Sequence, residues 1–345
     1  MTALETMLDG RFTLDRRIGA GGSARIFRAH DLVTGAVVAV KILDLRSPAD
    51  LARFAREAEV LAQLSHAAVV RYVAHGYSGG GEPYIVMEWL DGEDLSARLR
   101  RTPLSDAATF SVITQVARAM SWLHARGVMH RDLKPANIFL RDGRLDRVTV
   151  IDFGLARRVD ADDTATSLRG VTGTPGYMAP EQVCGERGID ARADVFALGC
   201  VLFRCLTGRP PFTGEDLLSV IAKTALDEPP MLRERRPDLP ESVEALVTWM
   251  LQKKPDARPS DADLLHALAR CQAEVGDARP APPVSAPRLT ESELRLVSVL
   301  LIDADERRAS TPAPTGRPSR RASGQRSASM VCGPSGSSTA PAWWP

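Results

Sequence analysis

Residues 130–137 read HRDLKPAN, and residues 150–154 read VIDFG after a short turn. Transfer of the terminal phosphoryl group of a nucleotide needs a carboxylate for the incoming hydroxyl, a cation for the phosphate and oxygen ligands for magnesium. The two segments contain all of these groups, carried by Asp132, Lys134, Asn137 and Asp152. They therefore predict a phosphoryl-transfer site that uses a hard divalent cation.

The composition is typical of a globular protein. The chain has 345 residues, 44% of them hydrophobic, enough for one two-lobed domain or two ordinary domains. With 44 Lys and Arg against 43 Asp and Glu, the net charge of +1 gives no reason to expect nucleic acid or a membrane surface as a partner. The five cysteines include no C-x-x-C pair, and residues 1–10 lack the apolar core of a signal peptide. We therefore expect a cytoplasmic protein with reduced thiols.

The first part of the chain predicts an antiparallel sheet with a glycine-rich loop. Two short strands flank the sequence GAGGSA at residues 19–24. Glycines allow the backbone to approach a triphosphate and to present N–H groups to its oxygens. A third strand, residues 36–43, alternates so that Lys41 and Ala39 share one face, which we expect to meet the nucleotide.

A helix is predicted to follow this sheet strand. Ser47 is its N-cap, a proline occupies the first turn, and the apolar stripe continues to about Ser65. At about 100° per residue, Glu57 lies beside the stripe whereas Glu59 points almost the opposite way. Glu57 is therefore the better partner for Lys41.

Two helices are predicted around the HRDLKPAN segment. Ser105 caps a helix that runs to about Arg126 and stops at Gly127, directly before that segment. Residues 191–206 are apolar almost all round, which predicts a buried central helix.

Together these motifs closely resemble the eukaryotic-like Ser/Thr protein kinase family in its bacterial form. The strand with Lys41 carries VAVK, and the glycine pattern is met at Gly19 and Gly21, with Ala24 in place of the third glycine. The resemblance covers about residues 11–270. It implies an α+β fold of two lobes, an antiparallel sheet with one helix followed by a mainly α-helical lobe.

The resemblance also implies the catalytic roles. Asp132 would be the catalytic base, or would orient the substrate hydroxyl, and Lys134 would neutralise the migrating phosphoryl group. An ion pair between Lys41 and Glu57 would hold the α- and β-phosphates. Lysine at position 134 is the Ser/Thr form of this motif rather than the tyrosine-kinase form.

ATP and magnesium are the implied cofactors, with manganese as the alternative ion. Asn137 and Asp152 would bind the metal, and Met87 would be the gatekeeper before a hinge at residues 88–91. The implied nucleotide-binding residues are Ile18, Gly19, Gly21, Gly22, Ile26, Ala39, Lys41, Met87, Glu88, Leu90, Phe139 and Ile151. Of these, Glu88 and Leu90 would act through their backbone on the adenine edge.

A polar loop before the sequence APE at residues 179–181 suggests regulation. Its hydroxyl residues are Thr164, Thr166, Ser167 and Thr172. Arg131 would be a cation near this loop, so an added phosphate could order the segment. Activation by phosphorylation is therefore a hypothesis, and a dimer is expected for autophosphorylation between copies. By resemblance, Thr174 would position substrate by contacting Asp132 and Lys134.

Four more residues have structural roles by resemblance. His130 would pack beneath the metal-binding segment, and Asp194 would brace the backbone of the catalytic loop. Arg258 would pair with Glu181 as a clamp within the second lobe.

The predicted divisions of the chain are 1–10 N-terminal extension, 11–90 first lobe, 91–273 second lobe, 274–290 Pro/Ala-rich linker, 291–306 short segment, and 307–345 disordered basic tail. Residues 291–302 resemble the first strand of a class III nucleotidyl cyclase domain. After Glu306 the chain has no acidic residue. One interpretation is that the tail is ordinary disorder, and another is that the chain leaves its ancestral reading frame near Arg307. A third interpretation is that the kinase phosphorylates its own tail at Ser310 and Ser323, each of which follows the sequence Arg-Arg-Ala.

We therefore expect an enzyme that transfers the γ-phosphate of ATP to protein serine or threonine in bacterial signalling. A pseudokinase that binds ATP as a scaffold is one alternative, supported only by Ala24. A small-molecule phosphotransferase of the same fold is another, although such enzymes usually lack the GTPGY and APE sequences found within residues 173–181.

Overall fold

A computed structural model describes residues 7–21, 24–45, 47–152, 175–186 and 188–276. The chain divides into two units, residues 1–286 and 287–345, and every described residue lies in the first. The predictions for Gly22, Thr164, Thr166, Ser167, Thr172, Thr174 and the segments after residue 276 fall outside the described residues.

The first lobe contains an antiparallel sheet of six strands in the order β1-β2-β3-β4-β6-β5. Its strands are β1 Met7–Leu8, β2 Phe12–Gly21, β3 Ala24–Asp31, β4 Val37–Leu43, β5 Tyr72–Tyr77 and β6 Pro83–Glu88. Burial alternates along β4, so Ala39 and Lys41 lie half-buried on the face opposite the fully buried Val40. The predicted face of Lys41 is confirmed.

Part of the predicted N-terminal extension, residues 1–10, belongs to the sheet of the first lobe. Met7 and Leu8 form β1 and pair with β2, and the Leu8 side chain is 4% exposed. The Tyr84 hydroxyl donates a hydrogen bond to Asp9, which ties the same segment to β6. Two residues are too few to show the alternation by which a strand is recognised in a sequence.

Helix α1, Pro48–Ala62, packs on the sheet by a buried stripe formed by Phe54, Ala58 and Leu61. Its N-cap is Ser47, whose Oγ accepts a hydrogen bond of 3.1 Å from the backbone N–H of Asp50. The predicted start is confirmed, because a serine cap and a first-turn proline are local signals.

The second lobe begins with a small antiparallel sheet, β7 Gly92–Asp94, β8 Ile138–Arg141 and β9 Val148–Val150. Gly92 is required at the start of this sheet, because its φ is +135° and a Cβ there would lie 2.0 Å from the carbonyl oxygen of Leu140. The helices of this lobe are α2 Leu95–Arg101, α3 Asp106–His124, α4 Pro180–Val183, α5 Arg192–Thr207, α6 Leu217–Leu226, α7 Leu232–Arg235, α8 Glu241–Met250 and α9 Asp261–Gly276.

Helices α3 and α5 form the centre of the second lobe. The side chains of α5 from Ala193 to Cys205 are nearly all buried, as predicted for a central helix. Ser105 caps α3, and Gly127, with a φ of +72°, follows the helix. The predicted start and end of this helix agree with the structure to within about two residues. This core supports the chain segment that carries the HRDLKPAN motif.

Candidate active site

The catalytic loop brings its acid, base and amide groups together. Asp132 Oδ2 lies 3.0 Å from the Nζ of Lys134. The Asn137 side chain donates a hydrogen bond of 2.8 Å from Nδ2 to the backbone carbonyl of Asp132. A short 3-10 turn at Pro135–Asn137 makes this contact local. The Asp132 and Lys134 side chains are 21% and 22% exposed, so both groups are partly desolvated and accessible.

Asp194 of α5 braces the backbone of this loop, as predicted. Its carboxylate accepts hydrogen bonds of 2.7 Å from the N–H of His130 and 2.8 Å from the N–H of Arg131. Arg131 has a φ of +62°, an unfavourable conformation for a non-glycine residue. The buried carboxylate compensates for this strain, which is characteristic of functional sites.

His130 connects the loop to the segment with Asp152. The imidazole is fully buried, and its Nε2 lies 2.9 Å from the carbonyl oxygen of Ile151. Its Nδ1 accepts a hydrogen bond from the N–H of Asp132. Burial lowers the pKa of His130, which keeps the ring neutral and confirms its structural role.

Asp152 forms an ion pair with Lys41 across the site. The Lys41 Nζ donates a hydrogen bond of 2.8 Å to Asp152 Oδ1. Asp152 also has a positive φ, +59°, and the preceding N–H of Ile151 is held by the carbonyl oxygen of Asn137 at 2.9 Å. Asp152 and Asn137 are thereby brought to one side of the site.

The predicted ion pair between Lys41 and Glu57 is not formed in the described part of the chain. Glu57 Oε2 is buried and has no hydrogen-bond partner, while Lys41 pairs with Asp152. Burial raises the pKa of Glu57, although Arg131, Arg53 and Arg56 act against this. Helical periodicity gives the face on which Glu57 lies but not its distance from Lys41, so the predicted pair stays a prediction for another arrangement of α1.

A small cavity of about 20 Å³ adjoins the Lys41 ammonium group. It is lined by Lys41, Leu61, Leu64, Val69, Val70, Tyr72, Ile85, Met87 and Asp152. Its apolar walls come from α1, the strands and the segment between them. A space of this size holds about one water molecule beside the ion pair of Lys41.

The strand register brings together several residues predicted to bind the nucleotide. Ile26 lies opposite both Gly19 and Lys41 in the sheet, and Ala39 lies opposite Met87. Ile18 is 46% exposed. The remaining apolar members are half-buried, namely Ile26, Ala39, Met87, Leu90, Phe139 and Ile151. Their partial exposure leaves these side chains accessible to a ligand.

A contact that sequence analysis missed fixes the predicted hinge. The Glu88 carboxylate accepts hydrogen bonds of 2.6 Å from Arg141 and 2.9 Å from the backbone N–H of Arg71. Arg141 lies on β8, so this bond joins the two lobes at the hinge. No sequence pattern marks this pairing, because the two residues are 53 positions apart.

The predicted clamp between Glu181 and Arg258 is confirmed. Two hydrogen bonds of 2.7 Å join the guanidinium to the two carboxylate oxygens, and both side chains are buried. Next to the clamp, the Gln182 side chain donates a hydrogen bond of 3.0 Å to the backbone carbonyl of Arg131. The clamp region therefore contacts the catalytic loop.

Comparison with known proteins agrees with this geometry. Residues 12–268 match the protein kinase domain family. The chain belongs to that family. Members of the family use ATP and a divalent metal ion.

Three relatives are bacterial proteins named as serine/threonine-protein kinases. The DNA damage-responsive kinase RqkA of Deinococcus radiodurans is 40% identical over 275 residues, which are 77% of this chain and 40% of RqkA. Pkn1 of Myxococcus xanthus is 40% identical over 72% of this chain and 36% of Pkn1. PknB of Mycobacterium tuberculosis is 37% identical over 83% of this chain and 46% of PknB. The chain thus spans less than half the length of these relatives.

A solved structure confirms the kinase fold. Rad53 residues 1–466, determined in complex with AMP-PNP, superposes with a TM-score of 0.62 at 27% identity, over 74% of this chain and 64% of that chain. Among the described residues, no helix is long and apolar enough to cross a membrane.

Proposed function

We propose that this protein transfers the γ-phosphate of ATP to serine and threonine hydroxyls of protein substrates. The observation that carries the proposal is the group of Asp132, Lys134 and Asn137, which are in mutual contact and braced from below by Asp194. The Ser/Thr names of three relatives support the choice of acceptor.

Asp132 is the group that accepts or orients the substrate hydroxyl. Its carboxylate is partly desolvated and contacts Lys134, whose ammonium group offsets negative charge on the transferred group. Thr174, beyond the described residues, is proposed to position the substrate next to these two groups. Positioning and charge neutralisation account for the catalysis, since phosphoryl transfer needs little covalent help from the protein.

Asn137 and Asp152 fit a divalent cation such as magnesium, or manganese in its place. Asn137 uses its Nδ2 in the contact with Asp132, which leaves the amide oxygen as a metal ligand. Within the described residues, no group of three or more His, Cys, Asp or Glu could hold a metal by itself. This matches magnesium, which takes one or two protein oxygens and completes its shell with phosphates and water. The bound cation would supply positive charge next to the phosphates.

Regulation is proposed to act on both Lys41 and the polar loop. In the active form Lys41 would pair with Glu57, whose buried carboxylate lacks a hydrogen-bond partner at Oε2 in the described structure. Phosphorylation at Thr164, Thr166, Ser167 or Thr172 would recruit Arg131, whose charge already acts on Glu57. Transfer between two copies would make the autophosphorylation rate rise with the square of protein concentration.

The test is magnesium-dependent transfer of label from ATP to the chain itself and to a generic protein substrate. Asp132→Asn should lower transfer by about 10²- to 10⁴-fold, the range for loss of a positioned acid–base group. Lys41→Met should also lower transfer, because the ammonium group that would hold the phosphates is lost. The matched control is Asp142→Asn, the same chemical change in an exposed turn where φ is +56° and asparagine is tolerated.

Equal activity in all three variants and the native chain would overturn the proposal. ATP binding without transfer under every activating condition would favour the scaffold alternative. Transfer to small amines or alcohols in place of protein would favour the small-molecule phosphotransferase.

A further inference from the structure

His124, in the last turn of α3, lies between two carboxylates from distant parts of the chain. Its Nε2 is 2.9 Å from Asp194 Oδ2 on α5. Its Nδ1 is 3.0 Å from Asp261 Oδ2 and 3.1 Å from Oδ1, at the first residue of α9. The imidazole is 5% exposed, so water does not compete for either nitrogen.

Counting protons fixes the charge of this ring. A neutral imidazole has one N–H, and an ionised carboxylate is only an acceptor. Two carboxylate contacts at hydrogen-bond distance therefore require both ring nitrogens to be protonated, unless one of the acids is protonated instead.

The surroundings of each acid exclude that alternative. Asp194 already accepts hydrogen bonds from the backbone N–H groups of His130 and Arg131, so donors face both of its oxygens. Asp261 begins helix α9, where the helix dipole favours a negative charge, and its side chain is 25% exposed. The proton therefore belongs to His124.

The electrostatics of the site agree with this assignment. Burial disfavours the charged ring, but hydrogen bonds to Asp194 and Asp261 outweigh burial and raise the pKa of His124 to about 9. Burial also disfavours the charged form of Asp194, yet the hydrogen bond from His124 keeps its pKa below the usual value. The nearby His130 is neutral, so the described groups that balance the charge of His124 are these two acids.

We propose that His124 is a positioning residue that is protonated at neutral pH, and that Asp261 keeps it charged so that Asp194 stays ionised and oriented beneath the catalytic loop. The chain of contacts runs from the start of α9 through His124 and Asp194 to the backbone of His130 and Arg131. The effect on catalysis rests on the proposed kinase function, whereas the charge of His124 does not.

The charge is tested by NMR titration of the histidine rings, with His124→Gln to assign the signal. The native His124 signal should titrate near pH 9. Asp261→Asn should lower that midpoint by about 1 to 3 units, the usual effect of one neighbouring opposite charge. The matched control is Asp263→Asn, which removes the same charge from the same helix turn, where Asp263 contacts Ser260 and not His124.

A native midpoint at or below the ordinary histidine value of about 6.5 would overturn the proposal. So would an equal shift in Asp261→Asn and Asp263→Asn, because a general helix-terminus effect would then explain both.

The positioning role is tested by the pH dependence of phosphate transfer. In Asp261→Asn, kcat should fall by about tenfold as the pH rises through the lowered titration midpoint of His124. This loss is smaller than the roughly hundredfold loss that follows a 1 Å misplacement of reacting groups. The native chain and Asp263→Asn should hold their activity to about pH 9. KM for ATP should be equal in all three, since Asp261 does not touch the nucleotide face.

Superimposable pH profiles of kcat would overturn the positioning role. If the native chain transfers no phosphate, the proposed kinase function fails. The charge of His124 is then tested by measuring the temperature of thermal unfolding as a function of pH. Because the pKa of His124 is raised in the folded state, its protonation contributes its full stabilisation of the folded state below about pH 6.5. This contribution is lost as the pH rises through about 9. That loss of stability should occur at lower pH in Asp261→Asn, and an unchanged profile would contradict the proposal.

Discussion

Glu181 and Glu57 are two carboxylates withdrawn from water in different environments. Both oxygens of Glu181 accept hydrogen bonds from Arg258. Glu57 Oε2 is buried without a hydrogen-bond partner. A buried charge is unfavourable unless it is paired, so the environment of Glu181 stabilises its charge better than the environment of Glu57 does. The difference indicates that the clamp holds one conformation, whereas a few kcal/mol can change the conformation around Glu57.

Breaking the satisfied pair should give the largest effect. Arg258→Ala leaves Glu181 as an uncompensated buried charge and removes bonds from Arg258 to the backbone carbonyls of Gln252 and Lys253. We expect the free energy of unfolding to fall by about 3–5 kcal/mol. Urea denaturation followed by circular dichroism measures this loss.

Arg192→Ala is the control for that measurement. Arg192 forms an exposed pair with Asp256, which is 94% exposed, and such pairs contribute about 0–1 kcal/mol. Equal losses of unfolding free energy in Arg258→Ala and Arg192→Ala would show that the buried clamp contributes no more to stability than an exposed ion pair.

Changing the unsatisfied carboxylate should give a smaller effect of a different kind. Glu57→Gln removes a charge that burial disfavours and whose Oε2 has no hydrogen-bond partner, so stability should be unchanged or slightly higher. Phosphate transfer should nevertheless fall by about 10- to 100-fold, because a hydrogen bond between charged groups contributes about 1.5–3 kcal/mol in the active form. Chemical denaturation and kcat/KM, measured on the same preparations, separate the two outcomes.

Glu59→Gln makes the same substitution on the exposed side of α1 and should change neither quantity. A loss of stability in Glu57→Gln as large as that in Arg258→Ala would remove the contrast between the two carboxylates.

The smallest expected effect is a pH dependence. Burial raises the pKa of Glu57 above its ordinary value of 4.5, so the folded state binds its proton more tightly than the unfolded state does. The native chain should therefore lose stability relative to Glu57→Gln as pH rises from about 4.5 through the raised pKa. Melting temperatures of both proteins between pH 4 and pH 8 test this, and parallel curves would contradict it.

Local signals predicted much of the fold. Ser47 and Ser105 mark the starts of α1 and α3 because a cap acts on backbone groups only two or three residues away. The alternation along β4 placed Lys41 correctly because successive side chains of a strand point to opposite faces. The clamp between Glu181 and Arg258 followed from the family resemblance and not from any local pattern.

Contacts between distant residues were not predictable in the same way. For Lys41, periodicity chose Glu57 over Glu59 but could not show the contact with Asp152, because that contact depends on how separate elements pack together. His124 and Asp261 are 137 positions apart, and neither carries a signal that points to the other.

The sequence by itself determined the family, the two-lobed fold and the residues proposed to carry out the chemistry, because these depend on short motifs and on the order of residues along the chain. Tertiary structure alone decided which charges are in contact: Lys41 with Asp152, Glu88 with Arg141, and His124 with two carboxylates. The physical reason is that an ion pair depends on distance and on the exclusion of water, and both arise only when separate elements pack together.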